Sequence, residues 1–574
     1  VKFNTFNFIG GMLPVIPDAS KIPDGSYRIA KNIRTRDNIV KPVASPLDLT
    51  DNLTAGAIQG GEMMGGWAIV FVQGIAYARY LNSVNNQWQQ LTGYRLTANA
   101  VDIYTEVVPL SFNAFLRNNH GDTQATIPQV ANGFYSDQGG GIPCLVAQDG
   151  TKRPMLIHPD ASGLSFSCRP ARTYSEWTQD NPEYIPIGKQ MCWDGNRLHI
   201  VIRGRFRYEE FRAVAKSVNN RPLDFMVVLD SDGNKLVDES QGDARITSYG
   251  VDFDEISAVK VVNNSQVAVI VATQKNLWQA VPDYTNVDQT FGEPIYRPIF
   301  ISGTGAISQH AFAETTINID SGSTAFVSQA GVRAINTASQ NRFEGKNYPL
   351  SREVSKLLAG ITQDAGAAIQ FNDYSYFALK TTHGNGVLVY DSILSKWASL
   401  DQYPEFSGNN SIFKFSLLRI PGKQRLIAFT RTKVLAMEEG SYYDSGIYIG
   451  DFSSLRDATI RVEQIPTFVY LNFIDNNIKG TAVVDVFCDE RFSQSISTTL
   501  TVSPPVPRIS SFPYPSRKDN ANSTTIAVTS PIQCFRHGYW INWNTDGALS
   551  YLAVDSEETN TLTNLEQKAK VFQK

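Results

Sequence analysis

The stretch from Ser323 to Leu400 constrains the fold more than any other part of this chain. It reads Thr324-Ala-Phe-Val-Ser-Gln-Ala-Gly-Val-Arg-Ala-Ile335, then a short helical interlude, then Phe371-Asn-Asp-Tyr-Ser-Tyr-Phe-Ala-Leu-Lys380. After Gly384-Asn-Gly386 come Val387-Leu-Val-Tyr-Asp391 and Lys396-Trp-Ala-Ser-Leu400. Each piece carries β-branched or aromatic residues at alternate places and ends in a turn residue, which is the pattern of a short strand. Gly331 and the Gly384–Gly386 turn stand where a tight hairpin requires positive φ. Strand, turn and strand, then Tyr390-Asp391 and soon Trp397, form the grammar of a β-propeller blade. A blade cannot bury both faces alone, so the stretch implies neighbours of the same kind.

Those neighbours are visible on both sides. Gly65-Gly-Trp-Ala-Ile-Val-Phe-Val72, a Gln73-Gly74 turn, Ile75-Ala-Tyr-Ala-Arg-Tyr80 and Asn86-Gln-Trp88 repeat the same grammar. Gln190 to Ile202, entered through an Asp194-Gly195 turn, then Phe211 to Ser217 and Arg221 to Phe225, continue it. Ala258 to Val262, Gln266 to Ala272 and Asn276-Leu-Trp278 supply a further blade, as do Arg425 to Phe429 and Val434 to Met437. Between about 92 and 188 the pattern loosens around Gly139–Gly141, and this span reads as an insertion. Units of about 40–45 residues over 60–450 allow six to eight blades. One helix is expected, Ser351 to Leu358, capped by Ser351, with Val354, Leu357 and Leu358 on one face and Gly360 as its stop.

Outside the propeller the grammar changes. Residues 1–55 read as an irregular arm: Ile22-Pro-Asp-Gly-Ser-Tyr27 is a turn leading into a strand through Asn32, and Asn38 to Pro42 looks like its returning partner. Longer alternating strands without the terminal Trp begin near 455, among them Phe468 to Phe473, Thr481 to Phe487, Tyr539 to Trp543 and Leu549 to Val554. The predicted fold class is therefore all-β. It comprises the arm, a β-propeller over 56–454, a C-terminal β-sandwich-like domain over 455–555 and a tail over 556–574.

Chemistry is sparse along the chain. There is no HExxH, GxSxG or Walker-type loop, and the six histidines show no ligand spacing. Asp230 to Glu239 resembles a calcium loop, but its glycine is misplaced and Gln241 stands where a bidentate Glu is needed, so a hairpin turn is expected. The basic run Arg203-Gly-Arg-Phe-Arg-Tyr208 is neutralised at once by Glu209 and Glu210. A pair of carboxylates for glycoside hydrolysis need only meet in space, and a linear reading does not reveal such a pair. The five cysteines, spaced too far apart for a metal clip, read as buried thiols. Catalytic residues, cofactors and metals are accordingly not expected. Net charge is −4, which argues against a protein that grips nucleic acid through its overall field. No window approaches 18 apolar residues, so no membrane-spanning helix is expected, and Val1 to Gly10 lacks the apolar core of a signal peptide.

The order of certain pieces points to a family. Gly10-Gly11, then Ile22-Pro23-Asp24-Gly25-Ser26-Tyr27, Ala30-Lys31-Asn32 and Lys41-Pro42, resemble the amino-terminal arm of the tail nozzle (tail hub) proteins of short-tailed bacteriophages. Further pieces in family order are Trp193-Asp-Gly195-Asn-Arg-Leu198, Ser217 to Phe225 with Pro222, Phe326 to Val332 with Gly331, and Tyr390-Asp391 with Trp397. Where the family continues Arg-Pro-Gly, this chain has Lys41-Pro42-Val-Ala-Ser45. The resemblance implies a virion protein made in the host cytoplasm. It would form a ring of six subunits below the portal and adaptor, prolong the DNA-ejection channel without sequence-specific DNA contact, and anchor fibres or spikes. On that reading the arm and the sandwich form the platform between subunits. The competing class is a virion-associated propeller that binds or degrades host polysaccharide.

Overall fold

The computed structural model describes residues 2–6, 8, 10–14, 25–36, 38–81, 86–110, 142–159, 165–172, 184–203, 210–217, 219–220, 222–223, 225, 228–229, 235–236, 246–249, 254–263, 267–287, 294–318, 321–336, 350–358, 366–408, 410–420, 422–452, 454–456, 460–474, 479–489, 491–500, 522–529 and 533–558. Pro23, Gly139–Gly141, Gly360 and the tail from 559 lie outside them. The chain is all-β, with two short 3₁₀ helices among the named elements.

Seven sheets succeed one another around a propeller. Blade 1 is Ile58–Met64, Trp67–Val72, Ile75–Tyr80 and Gln89–Gln90. Blade 2 is Tyr104–Leu110, Ile142–Gln148, Met155–Pro159 and Phe166–Pro170, with Thr92–Gly93 added in parallel. Blade 3 is Gly188–Trp193, Leu198–Arg203, Phe211–Lys216 and Ile246–Ser248. Blade 4 is Ile256–Asn263, Val267–Thr273, Leu277–Val287 and Pro294–Ser302. Blade 5 is Phe312–Asn318, Ser321–Ser328 and Gly331–Asn336, and blade 6 is Ala367–Phe371, Tyr374–Thr381, Gly384–Asp391 and Lys396–Asp401. Blade 7 is Ile412–Ile420, Lys423–Thr430 and Val434–Ala436, completed by Leu47–Asp48 from the arm. The first strand of each blade packs on the first strand of the next, and blade 7 packs on blade 1, so seven inner strands close a ring.

The hairpins follow from their turn residues. Gly331 and Gly384 adopt φ of 110° and 101°, a region that costs any side-chain-bearing residue strain. Two expectations need correction. The span 92–188 is not a loose insertion, because it carries the whole of blade 2. Its strands are separated by the long segment 111–141, which hides the repeat from a reading based on short hairpins. The expected helix over Ser351 to Leu358 is a 3₁₀ helix, Leu350–Leu357. Within it Ser351, Val354 and Leu357 are buried while the residues between them are exposed, a three-residue period that suits 3₁₀ geometry and not an α-helix. Ser351 does not cap the helix end; its Oγ accepts the Val332 N–H at 3.0 Å, beneath Gly331.

The arm departs furthest from expectation. Ile33–Arg36, not the 26–32 segment, is the hairpin partner of Ile39–Pro42. Ile29–Lys31 instead lies between Lys396–Asp401 of blade 6 and Ser445–Phe452 of the C-terminal region. A nine-stranded sheet thus runs from blade 6 through the arm into Ser445–Phe452, His537–Trp543, Gly480–Cys488 and Arg491–Leu500. Facing it is a six-stranded sheet of Asn522–Ala527, Gln464–Ile474 and Ala548–Glu558, joined by the arm strands Lys2–Thr5, Ile33–Arg36 and Ile39–Pro42. Strand alternation sends Val469, Leu471 and Phe473 inward from one sheet to meet Val484, Val486, Ile541 and Trp543 of the other. The Phe473 and Trp543 rings sit 5.6 Å apart across the gap. The C-terminal sandwich is therefore not separate from the propeller, and the arm completes its pairing within its own chain.

Candidate functional site at the propeller axis

The inner strands of blades 1, 2 and 4 are largely apolar and each carries one charge, and that of blade 7 carries two, Lys414 and Arg419. Glu62 belongs to blade 1, Glu106 to blade 2, Lys260 to blade 4 and Lys414 to blade 7. The ring brings them together around a cavity of about 320 Å³, with His310 ahead of blade 5 and Arg419 at the far end of the blade 7 inner strand.

One half of the site is internally satisfied. Lys414 Nζ lies 2.5 Å from Glu62 Oε2 and donates to Thr105 Oγ1 at 2.9 Å, while Ser416 Oγ donates to Glu62 Oε1 at 2.8 Å. This mostly buried ion pair ties blades 7, 1 and 2, and its added hydrogen bonds offset the cost of taking both charges out of water. Glu106 is half-buried as well. One of its carboxylate oxygens accepts the Trp193 N–H at 2.9 Å, and burial pushes its carboxyl up to about 7 against the opposing pull of Lys260. Desolvation, then Lys414, Lys260 and Arg431, hold the His310 imidazole well below its ordinary value, so it is neutral at physiological pH.

The other half is open. The side chains of Lys260 and Arg419 line the cavity, are exposed, and have no hydrogen-bond or ion-pair partner among the described residues. The opposite end of the axis is narrow. A cavity of about 40 Å³ is bounded there by Arg431, which pairs with Asp102 at 2.6 Å, donates to the Val101 carbonyl at 3.1 Å and lies 4.6 Å over the Phe413 ring. Gln309 spans the two spaces; its Nε2 donates to the carbonyls of Val259 and Met191, and its Oε1 accepts the Val259 N–H at 2.8 Å. Among the described residues, no group of three His, Cys, Asp or Glu side chains could hold a metal ion.

The residues singled out from the sequence serve other places. Gly10, Gly11, Gly25 and Asn32 gather where the arm meets blade 6. A Cβ on Gly10 would fall 2.2 Å from Ser26 N, and one on Gly11 would fall 2.8 Å from Lys396 Cβ. Gly25 adopts φ 83° and Asn32 φ 54°. The fully buried Asn32 side chain donates to the carbonyls of Gln402 and Asp444 and accepts the Gln402 N–H at 2.8 Å, joining propeller to sandwich. Tyr390 and Trp397 meet edge to face at 5.2 Å, and Trp397 Nε1 donates to the Leu350 carbonyl at 3.1 Å. Asp391 accepts the N–H groups of Ile393 and Leu394, holding the turn before Trp397. Gly195 sits at φ 95° in an open turn, Phe225 is packed in the core between blades 2 and 3, and Pro222 is buried in the turn nearby. Of this set only Trp193 reaches the axial site, through its backbone. Cys488 and Cys534 share a hydrogen bond, and all five cysteines are free and buried.

No protein-family model matches the chain, and no curated protein does. Among solved structures it is similar to the Chaetomium thermophilum Nup170 N-terminal domain complexed with Nup53. That match has 8% identity and a TM-score of 0.37, and covers 69% of this chain and 61% of that one. It is also similar to the N-terminal domain of Nup159, at 8% identity and TM-score 0.34, over 72% of this chain and 96% of that one. A third is the Dos1 propeller, at 11% identity and TM-score 0.26, over 53% of this chain and 65% of that one. Likenesses at this level say nothing about activity or partners.

Proposed function

We propose that this protein is a structural, non-catalytic subunit of a bacteriophage tail. It acts as a nozzle or hub component whose copies form a ring of six, continue the DNA-ejection channel from the portal and adaptor, and carry fibres or spikes. The observation that carries the reading is the outer surface of the C-terminal sandwich. Phe468 (40% exposed) and Tyr551 (37%) stand on the outer face of one sheet, and Phe492 (61%) and Phe535 (42%) are exposed elsewhere in the same domain. Exposed aromatic side chains are enriched on surfaces that meet another protein, and blade 4 adds Tyr284 (76%) and Phe300 (59%) to those of the sandwich. The arm welds that domain to the propeller, giving a stiff body suited to repetition around an axis.

The conduit would run between subunits, because a cavity of about 320 Å³ at the propeller axis cannot pass a duplex whose major groove alone is about 12 Å wide. A net charge of −4 suits a wall along which DNA slides. Electron microscopy of the assembled protein tests the reading: a six-fold ring with an axial channel and sandwich-to-sandwich contacts is expected, and Phe468→Asp combined with Phe492→Asp should return it to monomers. Particles that stay monomeric at high concentration and never join a virion would overturn it. A second reading, a virion propeller that binds sugar, is favoured by one observation, the side chains of Lys260 and Arg419, which line the axial cavity without a partner among the described residues.

A further inference from the structure

We propose that the axial cavity binds a single sugar acid, a pyranose-sized ligand bearing one carboxylate and several hydroxyls. The inference deepens the sugar-binding reading and rests on it; the tail-ring reading stands apart. Three features of the cavity select this chemistry.

The first is charge. Lys414 spends its charge on Glu62 and Thr105, whereas Lys260 and Arg419 line the same cavity with none of their donors engaged among the described residues. An ammonium and a guanidinium lining one partly enclosed space attract an anion, and the guanidinium fork matches a carboxylate. The second is the rest of the lining. Glu62 and Glu106 add carboxyl oxygens to it, and Ser416 and Thr105 hydroxyl oxygens. Such oxygens repel the remaining oxygens of a phosphate or sulfate but accept hydrogen bonds from sugar hydroxyls. The third is size. About 320 Å³ lies at the low end of small-molecule sites, enough for one ring and too large for a simple anion to fill. His310, neutral and with no side-chain partner among the described residues, adds a donor or acceptor to the same lining.

Isothermal titration of the full chain with glucuronate, glucose and inorganic phosphate tests this. Glucuronate should bind at least tenfold more tightly than glucose or phosphate. Lys260→Met and Arg419→Met should each weaken it about tenfold, and thermal unfolding at pH 5, where Glu106 is protonated, should be unchanged because neither side chain is hydrogen-bonded among the described residues. The exposed arm residue Lys41, changed to Met, is the control for net charge and should leave binding intact. A disaccharide ending in glucuronate identifies the source: binding as tight as the free acid assigns a polysaccharide end, and loss of binding assigns the free sugar. Equal affinity for glucose and glucuronate would overturn the acid assignment while leaving a sugar site. No binding of either sugar, or glucuronate binding indifferent to both substitutions, would remove the cavity from consideration without touching the ring.

Discussion

The guanidinium of Arg34 meets Asp401 through two bonds of 3.1 and 2.7 Å, Glu438 at 2.6 Å and Ser399 at 3.0 Å, and lies 5.4 Å from the rings of Tyr374 and Tyr376. Asp401 is only 1% exposed, so truncating the arginine strands a carboxylate inside the protein. Arg34→Ala should cost about 3–5 kcal/mol, and Arg34→Met with Asp401→Leu much less, as read by denaturant unfolding. A double variant no more stable than the single one would refute this account. Glu106 behaves in the opposite sense. Its folded value of about 7 lies above the ordinary 4.5, so the folded state takes up a proton that the unfolded state releases. Stability linked to this carboxyl is therefore full below pH 4.5 and is lost as pH rises from there through about 7. Glu106→Gln should match the parent at low pH and exceed it by about 1–3 kcal/mol near pH 8 in paired melting curves, while a variant weaker at pH 8 would contradict it. Neither residue declares itself in the linear sequence. Glu62, Glu106, Lys260 and Lys414 each look like a polar interruption of an apolar strand. The one available signal was that the interruption recurs on the first strand of successive blades, and this is visible only once the blades are counted.

Elements were legible in proportion to how local their pairing is. Blade 6 was readable in its last three strands, because Tyr374–Thr381, Gly384–Asp391 and Lys396–Asp401 pair with their sequence neighbours through tight turns, whereas its first strand, Ala367–Phe371, was merged into the second. The destinations of the arm strands were not. Ile29–Lys31 binds strands near 400 and 446, and a short alternating segment carries no mark of so distant a partner. Ring closure depends on one such pairing. Leu49 N–H donates to the Val434 carbonyl at 2.8 Å beside the Leu47–Asp48 strand, and its own carbonyl accepts Trp88 Nε1 at 3.0 Å. Leu49→Pro removes the donor and should open this seam first. Hydrogen exchange at Val434–Ala436 should accelerate well before that of blade 4, and uniform acceleration of all blades would show that the seam is not where the ring yields. Trp397→Ala should cost about 3–5 kcal/mol, since it empties a fully buried site and leaves the Leu350 carbonyl without its donor. A loss under 1 kcal/mol in chemical denaturation would mean the blade end is not packed as described.

At the scale of the molecule, the nine-stranded sheet leaves no boundary at which propeller and sandwich could part, and one hydrophobic core runs from blades 4–6 through the arm into both C-terminal sheets. Calorimetry should therefore record the sandwich melting together with blades 5 and 6 in one transition; a sandwich that melts alone at lower temperature would count against that continuity. The same feature sets a timetable for biosynthesis. Thr50 waits for Val434, whose N–H its side chain accepts, across 384 positions, and Asn32 waits for Asp444 across 412. At about 5–20 residues per second, the arm leaves the ribosome roughly 20–80 s before the strands that will receive it exist. Throughout that interval its strand edges are unclaimed, and the nascent ring lacks the piece that latches it. A chain cut short anywhere before blade 7 would keep the latch and lose the catch, so truncated products should be open rings that associate through their unpaired edges.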